Sequence, residues 1–80
     1  MTRRLVKTTA LQIADRTFPT RYFEQWTRRG ARRYSAEILI GADDYIILDD
    51  DSMARLEARA NRLVPATLFS RALTAGRPAA

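Results

Sequence analysis

Eighty residues with a net charge of +5, no cysteine and no histidine can build one thin-cored domain at most, and its core must hold without disulfides or thiolate metal sites. The missing histidine removes the commonest general base and metal ligand, and no Gly-rich phosphate loop or serine with a recognisable activating partner replaces it. Thirteen of the fourteen basic side chains are Arg, and they are unevenly placed: residues 1–40 carry nine basic groups against three acidic, residues 41–80 five against six.

In chain order, Met1-Thr2-Arg3-Arg4 has the charge of a secretion signal. Lys7, Gln12 and Asp15 interrupt the apolar segment that should follow, so we expect a cytoplasmic protein. Residues 3–13 are rich in β-branched types and read as an extended strand with Leu11 and Ile13 on one face. Phe18-Pro19-Thr20 reads as a break, because Pro19 cannot donate a ladder hydrogen bond.

The stretch from Tyr22 to Thr27 fits two descriptions. Thr20 could cap a short helix that ends at Gly30; as a strand, Tyr22, Glu24 and Trp26 alternate with Phe23, Gln25 and Thr27. The strand is preferred, since Arg28-Arg29-Gly30 then forms the tip of a hairpin into the next segment. Arg33, Ser35, Glu37 and Leu39 alternate there with Tyr34, Ala36, Ile38 and Ile40, a half-buried strand pattern. Gly41-Ala42-Asp43-Asp44 is a turn, and Tyr45-Ile46-Ile47-Leu48 opens another strand.

Asp49-Asp50-Asp51-Ser52 offers acceptors for the first turn of a helix, whose apolar stripe runs through Met53, Leu56, Ala60 and Leu63. Val64-Pro65 is expected to stop it, with a second helix over about 66–73. That link lacks Gly, and Thr67, Ser70 and Arg71 offer too little polar reach for a DNA-reading helix pair. The expected fold is α+β: a small antiparallel sheet of three to four strands packed on one or two C-terminal helices. One domain would span residues 1–74, with 75–80 as a flexible tail. The longest apolar stretch, Ala36 to Gly41, is broken by Glu37 and falls far short of the ~20 residues of a membrane span.

Two clusters can carry function. Arg28, Arg29, Arg32 and Arg33 bracket Gly30-Ala31, with Trp26 and Tyr34 beside them; a positive loop flanked by aromatics can grip phosphates or carboxylates and stack bases. Asp43, Asp44, Asp49, Asp50 and Asp51 could gather oxygens for a hard divalent cation, although 49–60 fails the calcium-loop pattern, with Ala54 at its sixth position and Ala60 at its twelfth. Turn formation and helix capping account for the same aspartates.

The profile is that of a small, non-enzymatic, charge-polarised binding protein without a cofactor. Inhibitors made by phages and mobile elements, anti-CRISPR proteins and polymerase-binding regulators among them, share this size and character. The expected partner is a host protein or nucleoprotein complex whose surface is occluded by the Arg/aromatic patch. Direct nucleic-acid binding by the same hairpin is the alternative, and an acidic divalent-metal site the second. No membrane partner is expected, and the sequence specifies no oligomeric state.

Overall fold

A computed structural model describes residues 3–75 of the chain. Four strands, β1 (Arg3–Ile13), β2 (Arg16–Trp26), β3 (Arg32–Gly41) and β4 (Asp44–Asp50), form one antiparallel sheet in the order β1-β2-β3-β4, followed by one helix, α1 (Met53–Ala75). This is the α+β architecture that the alternating patterns of the sequence call for. Of the anticipated tail over 75–80, all but Ala75 lies outside the described residues.

Tight hairpins connect the strands. Ala14-Asp15 joins β1 to β2 and Ala42-Asp43 joins β3 to β4, and each turn holds one residue in the left-handed region: Ala14 at φ 55° and Asp43 at φ 56°. Asp tolerates that conformation through local hydrogen bonding, whereas Ala pays a steric penalty for its Cβ. The β2–β3 connection spans Thr27 to Ala31. Its Thr27 carbonyl accepts from the Gly30 N–H at 2.9 Å, and Gly30 takes φ 82°. The sequence contains Gly at the position where a side chain would be strained.

Helix α1 lies across one face of the sheet. Leu56, Ala60 and Val64 are fully buried there against Phe18, Tyr22, Ala36, Ile38, Ile40 and Leu48. Ser52 caps its start, its Oγ accepting from the Arg55 N–H at 3.3 Å and its carbonyl from the Leu56 N–H at 2.9 Å. Asp49 and Asp50 belong to β4 instead, and the Asp50 carboxylate accepts from the Ser52 N–H at 3.1 Å.

Two further sequence expectations fail. Pro19 does not break the chain: β2 runs through it, opposite Ala10 of β1, and the β2–β3 ladder begins only at Thr20↔Ile38. Pro19 therefore sits just beyond the ladder that its missing N–H would have weakened. Nor does Pro65 end the helix. α1 is continuous through it for 23 residues, because Val64 and Leu68 on either side pack into one core while Pro65 itself is exposed. Its ring thus meets solvent, where the carbonyl it orphans can bind water.

Candidate functional site

The hairpin end of the sheet is built by alternation. In the β2–β3 ladder Trp26 faces Arg32, Gln25 faces Arg33 and Glu24 faces Tyr34. Successive residues of a strand point to opposite faces, so Trp26, Arg32, Tyr34 and Glu24 share the helix side, and Arg33 points to the other. The six residues singled out in the sequence are therefore divided. Arg28 and Arg29 occupy the turn itself, Arg32 joins Trp26 and Tyr34, and Arg33 leaves the group to pair with Asp49 at 2.7 Å.

On the helix side Arg32 is tightly organised. Its guanidinium lies 5.6 Å from the Trp26 ring centroid, donates to the Tyr34 hydroxyl at 3.5 Å and stands 3.8 Å from Glu24. The hydrogen bond to Tyr34 leads the causes that raise its pKa, followed by the charges of Tyr34 and Glu24. Arg33 is likewise raised, chiefly by its hydrogen bond to Asp49. Both remain cations throughout the physiological range. Trp26 keeps 39% of its surface exposed beside them.

Glu24 is the least expected member of the site. It is a buried carboxylate, and Arg4 of β1 pairs with it from the side opposite Arg32. The other face repeats the arrangement: Glu37 accepts from Arg3 at 2.7 Å and from Arg21 at 2.9 Å. Arg3 also stacks 3.8 Å over the Phe23 ring, which explains how Phe23 is buried on a face that no described element covers. Each triad of two guanidiniums and one carboxylate leaves one positive charge. Arg28 and Arg29 have no ion-pair partner among the described residues. Arg3, Arg4, Arg28, Arg29, Arg32, Arg33, Arg55 and Arg59 against Glu24, Asp49, Asp50 and Asp51 give this end a net +4.

Arg3, Arg4, Arg21, Glu24 and Glu37 were not singled out by sequence reading. Only the β1–β2 register brings Arg4 opposite Glu24, and only the β2–β3 register brings Arg21 opposite Glu37.

The acidic residues are spent differently. Asp44 pairs with Arg71, Asp51 with Arg55 at 2.7 Å, and Asp50 with Arg55 at 3.4 Å and Arg59 at 3.2 Å. Among the described residues no three potential metal ligands come together. A shallow cleft of about 300 Å³ opens where β2 and β3 part, lined by Arg16, Phe18, Pro19, Leu39 and their neighbours, and holds no carboxylate or serine. No described helix is long and apolar enough to cross a membrane.

The fold and this charge distribution define a small α+β domain with an Arg-rich hairpin end. Compared with known proteins, the chain matches no family model, no curated protein and no solved structure.

Proposed function

We propose that the chain is a non-enzymatic binding protein that docks the end of its β2–β3 hairpin on an anionic surface of a larger host protein or nucleoprotein complex. In this reading it acts in the cytoplasm as an occluding inhibitor or regulator, of the kind that phages and mobile elements make. One observation carries the proposal: the buried Glu24 carboxylate is shared by the guanidiniums of Arg4 and Arg32, which still leaves a positive charge, beside two unpaired arginines at the turn. Internal pairing saturates the carboxylate and leaves the cations in excess, which is what an anionic partner would complete. Arg and Trp are also the side chains that most often dominate binding interfaces, and charge at the rim steers encounter.

The test is charge reversal at the tip, Arg28→Glu with Arg29→Glu. Neither side chain holds the fold, so stability should shift by under about 0.5 kcal/mol. Wild-type protein should retain a partner from nuclease-treated host lysate, and the double reversal should lose it. Retention that survives the reversal would move the site away from the hairpin.

Half-exposed Trp26, beside Arg32 and the two tip arginines, supports a second reading: direct binding of nucleic acid, with the indole stacking a base. Titration with mixed-sequence single-stranded and duplex DNA and RNA separates the two. Direct binding requires affinity that falls by about one log unit per log unit of salt for each phosphate neutralised, whereas no binding at about 50 mM salt removes this reading.

A further inference from the structure

At the end of the sheet away from the Arg28-Arg29 turn, the two central strands part. The β2–β3 ladder stops at Thr20↔Ile38, while β2 stays paired with β1 as far as Ile13↔Arg16 and β3 with β4 as far as Gly41↔Asp44. Two paired hairpins therefore diverge as a fork. The cleft of about 300 Å³ is lined by residues 16–19 on one arm and 39–42 on the other, the positions where the ladder would have continued. The sequence explains the split. Pro19 brings no N–H, and a bulge between Leu39 and Gly41 bends β3.

Alternation decides which main-chain groups face the fork. Ile13↔Arg16 closes a two-residue turn and is a hydrogen-bonded pair, so the main chain of Arg16 and Phe18 points to β1 and that of Thr17 and Pro19 to β3. Arg21↔Glu37 is then hydrogen-bonded too, and Leu39, two residues on, faces the fork. Gly41, paired with Asp44 across its own turn, faces β4 instead. The Leu39 carbonyl thus stands where Pro19 has nothing to donate. The N–H and carbonyl of Thr17 stand opposite a residue turned away. These groups have no ladder partner, and they call for two donors and one acceptor, which another main chain supplies.

The side chains narrow the choice further. Phe18 and Ile40 are buried members of the core and form the floor, with Pro19 and Leu39 beside them. Arg16 has no carboxylate partner among the described residues, and its guanidinium is drawn in to 4.9 Å from the Phe18 ring centroid. No carboxylate lines the cleft, whereas Asp15 and Asp43 on the flanking turns oppose a polyanion. We infer that the fork binds the carboxyl-terminal end of an extended peptide with an aliphatic last side chain. The carboxylate lies on Arg16, the last peptide groups on Thr17 and Leu39, and the side chain on Phe18 and Ile40. A chain end fits where a continuous strand does not, because the fork closes at Thr20↔Ile38. Its volume stands at the lower end of the roughly 300–1,000 Å³ of ligand sites, so only the last few residues are read. This site is remote from the hairpin end and does not depend on the function proposed above.

Amide correlation spectra of the isotopically labelled chain read the site residue by residue. The probe is a pool of pentapeptides ending in Val, Ile, Leu or Ala with a free carboxylate. It is raised to about 2 mM, because so small a site should hold its ligand with a dissociation constant of about 0.1–1 mM. Saturable shifts should fall on the amides of Thr17, Phe18 and residues 39–42. Amidating the terminal carboxylate should weaken binding by about tenfold or more, and so should Arg16→Gln in a chain whose other amides keep their positions. Methylating the nitrogen of the last peptide bond removes a donor, keeps the carboxylate, and should weaken binding to a similar degree. Both peptide changes leave the protein untouched, so they remain decisive even where Arg16→Gln disturbs the fold. Hexanoate, a carboxylate on an aliphatic chain without a peptide group, should bind more weakly than the pool by the same factor. No saturable shift, shifts centred elsewhere, or an amidated or methylated pool that binds as well overturns the proposal. Hexanoate that matches the pool overturns it equally, as an apolar-acid pocket that reads no main chain.

Discussion

At the scale of single residues, the side chain with the most converging partners is Asp50, at the junction of β4 and α1. Burial works to raise its pKa, but hydrogen bonds from the Ser52 N–H and Arg59, together with the charge of Arg55, outweigh burial and hold it below the ordinary value of 3.8. A carboxylate whose folded pKa is depressed contributes stability that is present above its unfolded pKa and is lost as pH falls through the folded one. We therefore expect the thermal midpoint to fall steeply as the pH drops below about 4, the unfolded value for Asp. Asp50→Asn should lower the midpoint at pH 7 and flatten this acid-side fall, as read by circular dichroism melts from pH 7 to pH 2. A variant whose midpoint falls as steeply as wild type would show that other carboxylates carry the acid sensitivity.

Between elements, the sequence was legible where structure follows a local period. β2 and β3 alternate because each has one face in the core and one outside, and from that alternation the opposite facing of Arg32 and Arg33 could be foreseen. The Arg3–Glu37 and Arg4–Glu24 pairs could not, because both depend on the β1–β2 register. At that end the register is set jointly by the Ala14-Asp15 turn, which lacks the Gly or Asn that usually announces a hairpin, and by a bulge between Leu5 and Lys7 that shifts Arg3 and Arg4 by one position. The helix illegible at Pro65 shows the converse: a strong local signal was overruled by a core that holds Leu56, Ala60, Val64 and Leu68 along one side. That override has a measurable cost. Pro in a helix interior is about 3 kcal/mol worse than Ala, and Pro65 is exposed, so its removal disturbs no packing. Pro65→Ala should raise stability by roughly 1–3 kcal/mol in urea unfolding with an unchanged slope. No gain would mean that the helix is already relieved at this point by solvent.

As a whole the molecule is long and thinly filled. Its radius of gyration is 14.6 Å and its extents are 49 × 28 × 20 Å, against the ~12 Å expected of a compact chain of this length. The helix explains the length: at 1.5 Å per residue α1 spans about 34 Å, and its packed stripe reaches the core as far as Leu68, leaving Phe69 and Leu73 exposed further on. Stability must therefore be concentrated where Leu56, Ala60 and Val64 meet Ile38, Tyr22 and Leu48. Leu56 has no accessible surface, and truncating it opens a cavity in a single layer that cannot collapse sideways; Leu56→Ala should cost about 2–5 kcal/mol. Native domains are stable by only about 5–15 kcal/mol, and small ones fall at the low end, so this one substitution should leave much of the protein unfolded at 37 °C. Phe69→Ala removes a larger side chain, yet one that is 68% exposed, and should shift the unfolding midpoint little. If the two substitutions destabilise equally, the distal half of α1 is packed against something in solution, and the core does not end where the sheet does.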